Sequence, residues 1–138
     1  MTIECISTSL TASQQARLGG SPSLRSIYEL SVGREYIGME YIVFGILFTL
    51  QSSVYGSTAL FTVRDDAGRC YQVPACLFKI ADARPSKWWL ARQVREFDLA
   101  LWPQEFYDEF FFDDLSEQVS RCVLAFERLG HRLESEFD

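Results

Sequence analysis

Thr58-Ala59-Leu60-Phe61-Thr62-Val63 is followed by Asp65-Asp66-Ala67-Gly68, and then by Arg69-Cys70-Tyr71-Gln72-Val73. β-Branched and aromatic side chains fill both flanks, and the middle is a turn whose glycine supplies the positive φ that ends a short loop. The stretch therefore predicts a β-hairpin. Pro74-Ala75-Cys76 closes the second strand, and Leu77 to Ile80 resumes extended structure. On the N-terminal side, Gln51 to Ser57 is polar enough for a loop. Glu35 to Leu50 is dense in strand formers, interrupted by Gly38 and Gly45, where bulges or bends are expected. Ile27, Tyr28, Leu30 and Val32 give one more strand before Gly33-Arg34. Short strands with turn signals at this spacing predict a small antiparallel β-barrel of the SH3-like kind, or a curved sheet.

The flanks predict helices. Residues 1–23 read as a polar arm with a short helix over Thr11 to Leu18, capped by Thr11 or Ser13, before the breaker Gly19-Gly20-Ser21-Pro22. Asp82 to Ser86 reads as a linker, and Phe97 to Trp102 alternates as a strand, with Phe97, Leu99 and Leu101 as its apolar face. Leu115, Val119, Cys122, Phe126, Leu129 and Leu133 recur at helical spacing. They predict one C-terminal helix over 115–134, started by Asp114 with Glu117 as its capping-box partner and packed on the sheet. The fold class is α+β in one domain of 138 residues: arm 1–23, β core 24–81, linker and aromatic-acidic segment 82–114, then the helix.

Composition narrows the function. At 48% hydrophobic the chain is not disordered, and a net charge of −6 argues against nucleic acid as a partner. A single histidine excludes His-pair metal sites, and Cys5, Cys70, Cys76 and Cys122 form no zinc-type pair. No metal or cofactor is expected. The first twenty residues have no apolar stretch of the signal-peptide kind, and the apolar run Tyr41–Leu50 is too short for a bilayer-spanning helix. A cytoplasmic protein with free thiols and no membrane partner is therefore expected. Gly-x-Ser-x-Gly, P-loop and dinucleotide motifs are missing from the sequence. Asp65/Asp66 and Asp113/Asp114 have turn and cap explanations, and His131 reads as a surface residue near a helix end. The expectation is a binding protein rather than an enzyme.

Charge is uneven. Residues 1–95 carry ten basic and seven acidic side chains, while residues 96–138 carry three basic and twelve acidic. No Lys or Arg lies between Arg95 and Arg121, and within that gap Leu101 to Asp114 interleaves six aromatics with five carboxylates. Phe106 and Phe110, four residues apart, are spaced to bury together on one helical turn, but the five aromatics from Phe106 to Phe112 cannot all face inward from so short an element. Aromatic anchors ringed by charge have the composition of a protein-binding hot spot. Glu105, Tyr107, Asp108, Glu109, Phe111, Asp113, Asp114 and Glu117 are the candidate contact residues for a basic protein partner.

Ser26-Ile27-Tyr28-Glu29-Leu30-Ser31-Val32-Gly33-Arg34-Glu35-Tyr36, Tyr41-Ile42-Val43-Phe44-Gly45-Ile46, Asp65-Asp66-Ala67-Gly68 and Val73-Pro74-Ala75-Cys76-Leu77-Phe78 form a pattern over roughly residues 26–80, with Leu101-Trp102-Pro103 as its extension. The pattern resembles small bacterial immunity proteins, those encoded beside secreted toxins of polymorphic and contact-dependent growth-inhibition systems. The resemblance implies a cytoplasmic inhibitor of one cognate toxin domain and assigns no contact residue. With the acidic segment, it leads to the expectation that the target is a nuclease whose active site is covered. The alternative is an SH3-like adaptor or ligand-binding module that uses aromatics such as Tyr36, Tyr41 or Tyr71.

Overall fold

A computed structural model describes residues 1–18, 37–53, 56–65 and 68–137. The strand expected over Ile27–Val32, the Gly33-Arg34 turn and Tyr36 lie outside the described residues, as does the Gly19–Pro22 breaker. The elements in chain order are β1 (Thr2–Cys5), α1 (Ala12–Leu18), β2 (Glu40–Ile42), β3 (Gly45–Ser53), β4 (Gly56–Arg64) and β5 (Cys70–Pro74). A 3-10 turn (Ala75–Leu77) leads to β6 (Phe78–Asp82), followed by β7 (Leu90–Val94) and β8 (Asp98–Trp102). A second 3-10 turn (Gln104–Tyr107) precedes α2 (Phe111–Ser116) and α3 (Ser120–Glu136).

The strands form two antiparallel sheets, one of five in the order β5-β4-β3-β8-β7 and one of three in the order β2-β1-β6. The class is α+β with a packed C-terminal helix, and among the described residues neither sheet closes into a barrel. The expected hairpin is present as β4 and β5, with Gly68 at φ +82° and the Arg69 amide donating to Asp65 Oδ1 at 2.8 Å. The expected loop over Gln51–Ser57 is shorter than its polarity suggests, because β3 runs to Ser53 and β4 begins at Gly56. The polar arm contains β1, the central strand of the small sheet, whose Ile3 and Cys5 are fully buried. Thr11 does cap α1: its Oγ1 accepts from the Gln14 amide while Gln14 Oε1 accepts from the Thr11 amide.

The helices cover one face of the five-stranded sheet, and the small sheet covers part of the other. Register pairs Leu47 with Leu60 and Ala100, and pairs Ile46 with Phe61 and Leu101, so even and odd positions separate cleanly. Trp102, on the face of Leu47, meets Phe106 and Phe112 edge-on, which places the helices there. Phe61, on the other face, meets Phe78 of the small sheet at 6.4 Å. β8 has the opposite phase to the expected one. Asp98, Ala100 and Trp102 are buried, while Phe97 is 70% and Leu99 45% exposed. Alternation fixed the strand but not its face, because the inward Asp98 carboxylate is satisfied: Oδ1 accepts from the Leu50 amide, and Oδ2 faces the Arg95 guanidinium at 3.5 Å. Phe48, Leu50, Phe97 and Leu99 remain on the outer surface.

The apolar stripe of the C-terminal region is real, but the helix carrying it is broken. Gln118 adopts φ +61°, its amide donates to Leu115 O and the Val119 amide donates to Asp114 O, a Schellman stop with glutamine in the left-handed position. Asp114 therefore lies inside α2 rather than capping a helix, and Glu117 follows the end of α2. The stripe survives because Leu115 is buried before the break, and Cys122, Phe126, Leu129 and Leu133 are buried after it. Gly130 does not end α3. It is the point where Arg64 crosses the helix on its way to Glu134, and a Cβ there would lie 2.6 Å from Arg64 Nη1. The stretch Asp82–Ser86, expected as a linker, ends in a clasp on the far end of α3: the Ser86 hydroxyl and the following Lys87 amide donate to the Glu136 carboxylate.

The phase of β8 has a direct check in urea denaturation. Leu99→Ala is expected to cost less than about 1 kcal/mol, because nearly half of the residue already faces water. Ala100→Leu is expected to cost roughly 1–3 kcal/mol, because it forces a large side chain against the helical layer. The reverse ranking would contradict the observed phase.

Candidate functional site

The candidate surface begins where β8 ends. Pro103, at φ −63°, cannot extend the ladder and starts the 3-10 turn Gln104–Tyr107. The turn drops Phe106 inward, 2% exposed, against Trp102, Phe111, Phe112 and Phe126. The chain then reverses over Asp108–Phe110, with the Phe111 amide donating to Asp108 O and the Asp114 amide to Phe110 O. Phe110 itself adopts φ 64° and ψ 11°. For a residue with a bulky Cβ substituent this left-handed conformation costs of order 1 kcal/mol or more. Its ring is 63% exposed.

The eight candidate residues separate by environment. Asp108, Glu109, Asp113 and Glu117 are exposed and form no ion pair with any described residue. Asp114 receives Arg121 Nη2 at 2.8 Å, and Glu105 receives Arg132 Nη2 at 2.9 Å. The latter pair is half-buried, with the Arg132 guanidinium also over the Trp88 ring at 4.5 Å. Glu105 is thus committed to fastening α3 to the 3-10 turn. The Tyr107 hydroxyl donates to the Leu90 carbonyl at 2.5 Å with the Ala100 carbonyl 3.2 Å away, and Arg92 lies over its ring at 4.5 Å. Desolvation raises its pKa, so the phenol stays a donor that ties the turn to β7 and β8.

Phe111 is a correction. It is 4% exposed and packs on Phe106 and Phe112, so it belongs to the core and presents no ring to a partner. Phe110, expected to bury beside Phe106, takes the outward place instead. The signal available in the sequence was only that consecutive phenylalanines cannot all point inward. Which one points out depends on the left-handed turn, which phenylalanine does not advertise.

Other chemistry-bearing groups stand apart from this surface. His131 is exposed and lies 3.7 Å from Glu134. Cys5, Cys70, Cys76 and Cys122 are free thiols, and burial raises the pKa of the first three. Among the described residues no cluster of His, Cys, Asp or Glu is placed to hold a metal ion, and no helix is long and apolar enough to cross a membrane.

The division between committed and uncommitted carboxylates is expected to appear in stability. Glu105→Ala leaves the half-buried Arg132 unpaired and is expected to cost about 1–2 kcal/mol in chemical denaturation. Asp108→Asn and Glu109→Gln are expected to stay within about 0.5 kcal/mol of the parent. Equal costs at all three positions would contradict the assignment. Comparison of the chain with family models, curated proteins and solved structures finds no match, so the surface is interpreted from its own chemistry.

Proposed function

We propose that this chain is an immunity protein that binds a cognate secreted toxin domain in the cytoplasm and masks its active site. The observation that carries this reading is Phe110: a 63% exposed aromatic held in a left-handed turn, with the uncommitted carboxylates of Asp108, Glu109, Asp113 and Glu117 close by in the chain. An aromatic anchor with charged neighbours suits a hot spot, in which one ring fills a pocket and surrounding polar groups exclude water. Carboxylates on such a face would occupy the positions of substrate phosphates, which is the support for a nuclease as target. The acidic sign suits a basic partner and steers its approach. An interface of about 800 Å² per partner lies within reach of a chain this size. In this reading the five-stranded sheet serves as the scaffold for which the resemblance implies an SH3-like barrel.

The reading requires a large secreted effector encoded immediately upstream, and a metabolic operon in that position would count against it. With the C-terminal domain of that effector as partner, calorimetry or surface binding tests the face. Joint replacement of Asp108, Glu109, Asp113 and Glu117 by their amides is expected to weaken binding at least tenfold and to flatten its salt dependence. Phe110→Gly is the sharper variant. Glycine tolerates the left-handed φ, so the fold should be as stable as the parent or more so, while affinity falls. Unchanged affinity in both variants would remove this face from the interface.

A further inference from the structure

Two concavities meet at Gly68, Leu115 and Gln118, and they are opposite in charge. The first has Glu40, Asp65, Glu127 and Glu134 in its wall, with Arg64 as the one cation among its described lining residues. The second encloses about 510 Å³, a volume typical of small-molecule sites, and its described lining contains no carboxylate. Its apolar wall is Leu47, Trp102, Phe112 and Leu115, contributed by β3, β8 and α2, and its cations are Arg69 and Arg95. The described lining therefore carries two guanidiniums and no carboxylate, although each guanidinium has a carboxylate partner outside that lining, Asp65 and Asp98.

Both arginines are held by a carboxylate. Arg69 is held by Asp65, with Nε and Nη2 both at 3.0 Å from Oδ2, and it lies 5.5 Å over the Tyr71 ring, itself part of the lining. Those contacts use fewer than the five N–H donors of the guanidinium, and the side chain is 61% exposed. Arg95 stands at a left-handed residue, φ 54°, in the β7–β8 turn, with the buried Asp98 carboxylate 3.5 Å from Nη1. Cys70 is also in the wall, and desolvation pushes its thiol up to about 12, so it adds neither negative charge nor a nucleophile at neutral pH.

We propose that this cavity is a binding site for a small organic anion, with an aromatic or aliphatic body against Leu47, Trp102, Phe112 and Leu115 and a carboxylate on the guanidinium side. Apolar walls supply affinity, and planar guanidiniums select a carboxylate over a neutral group of the same shape. The proposal does not rest on the function proposed for the face around Phe110, although α2 contributes to both, Phe112, Leu115 and Ser116 to the cavity and Asp113 to that face.

The test is a titration of the full chain, followed by ¹H–¹⁵N NMR, with naphthalene carboxylate and separately with its neutral carboxamide. The carboxylate is expected to bind saturably, to shift amide signals of residues lining the cavity, and to bind about tenfold more tightly than the carboxamide. Arg69→Gln, which leaves Asp98 and its partners intact, should erase most of that difference. Ser116→Trp, a bulky side chain at the cavity wall, should abolish binding of both compounds while the remainder of the spectrum stays that of the parent. Equal affinity for the two compounds, no saturable binding, or binding unchanged in Arg69→Gln and Ser116→Trp would overturn the proposal.

Discussion

Burial of Phe106 is the constraint on which the C-terminal architecture depends. Its ring lies 6.2 Å from Trp102, 5.6 Å from Phe111, 4.9 Å from Phe112 and 6.5 Å from Phe126, so one side chain joins β8, α2 and α3. Phe126 continues the chain of rings to Phe44 at 4.7 Å, just before β3. Aromatic pairs of this kind contribute about 0.5–1.5 kcal/mol each beyond the area they bury. Phe106 and Phe111 must both reach this cluster across an intervening segment too short for another regular element. The chain meets that demand by reversing at Asp108–Phe110, and the reversal is what leaves Phe110 outside in a left-handed conformation. A surface feature with functional promise is thus a by-product of how the core closes.

Ion pairing then decides which charges remain available. Of the arginines after Arg95, Arg121 and Arg132 are drawn onto Asp114 and Glu105. The paired carboxylates hold α2, α3 and the 3-10 turn together, while Asp108, Glu109, Asp113 and Glu117, like Glu96 and Glu127, form no ion pair with any described residue. The same economy governs the basic half of the chain. Asp65 and Asp98 each fix an arginine, and both arginines line the apolar cavity between the sheet and α2. The uneven charge seen along the sequence thus leaves exposed carboxylates near Phe110 in the chain and two carboxylate-held arginines in the wall of the hollow.

The legible parts of the fold were those set by local chemistry. The β4–β5 hairpin announced itself through Asp65 and Gly68, α1 through Thr11, and the helical stripe through its spacing. What was not legible was set by tertiary partners. β8 alternates, but its inward side contains Asp98, which no hydrophobic count would choose, and only the Leu50 amide and Arg95 make that burial tolerable. The break at Gln118 breaks no apolar period, so the stripe concealed it. β1 is a short strand in a polar arm and gains its place only by lying between β2 and β6. For the candidate surface, composition located the segment, but the exchange of Phe111 for Phe110 required the turn geometry.

The central claim is that the face bearing Phe110 and its uncommitted carboxylates is where this protein meets a basic protein partner. Hydrogen exchange of the chain, free and in complex with the C-terminal domain of the upstream effector that the proposal requires, tests this most directly. The expected result is slowed exchange concentrated in residues 108–117, with the two sheets unchanged. Protection over the strip of Phe48, Leu50, Phe97 and Leu99 instead, with 108–117 exchanging as in the free protein, would contradict the claim.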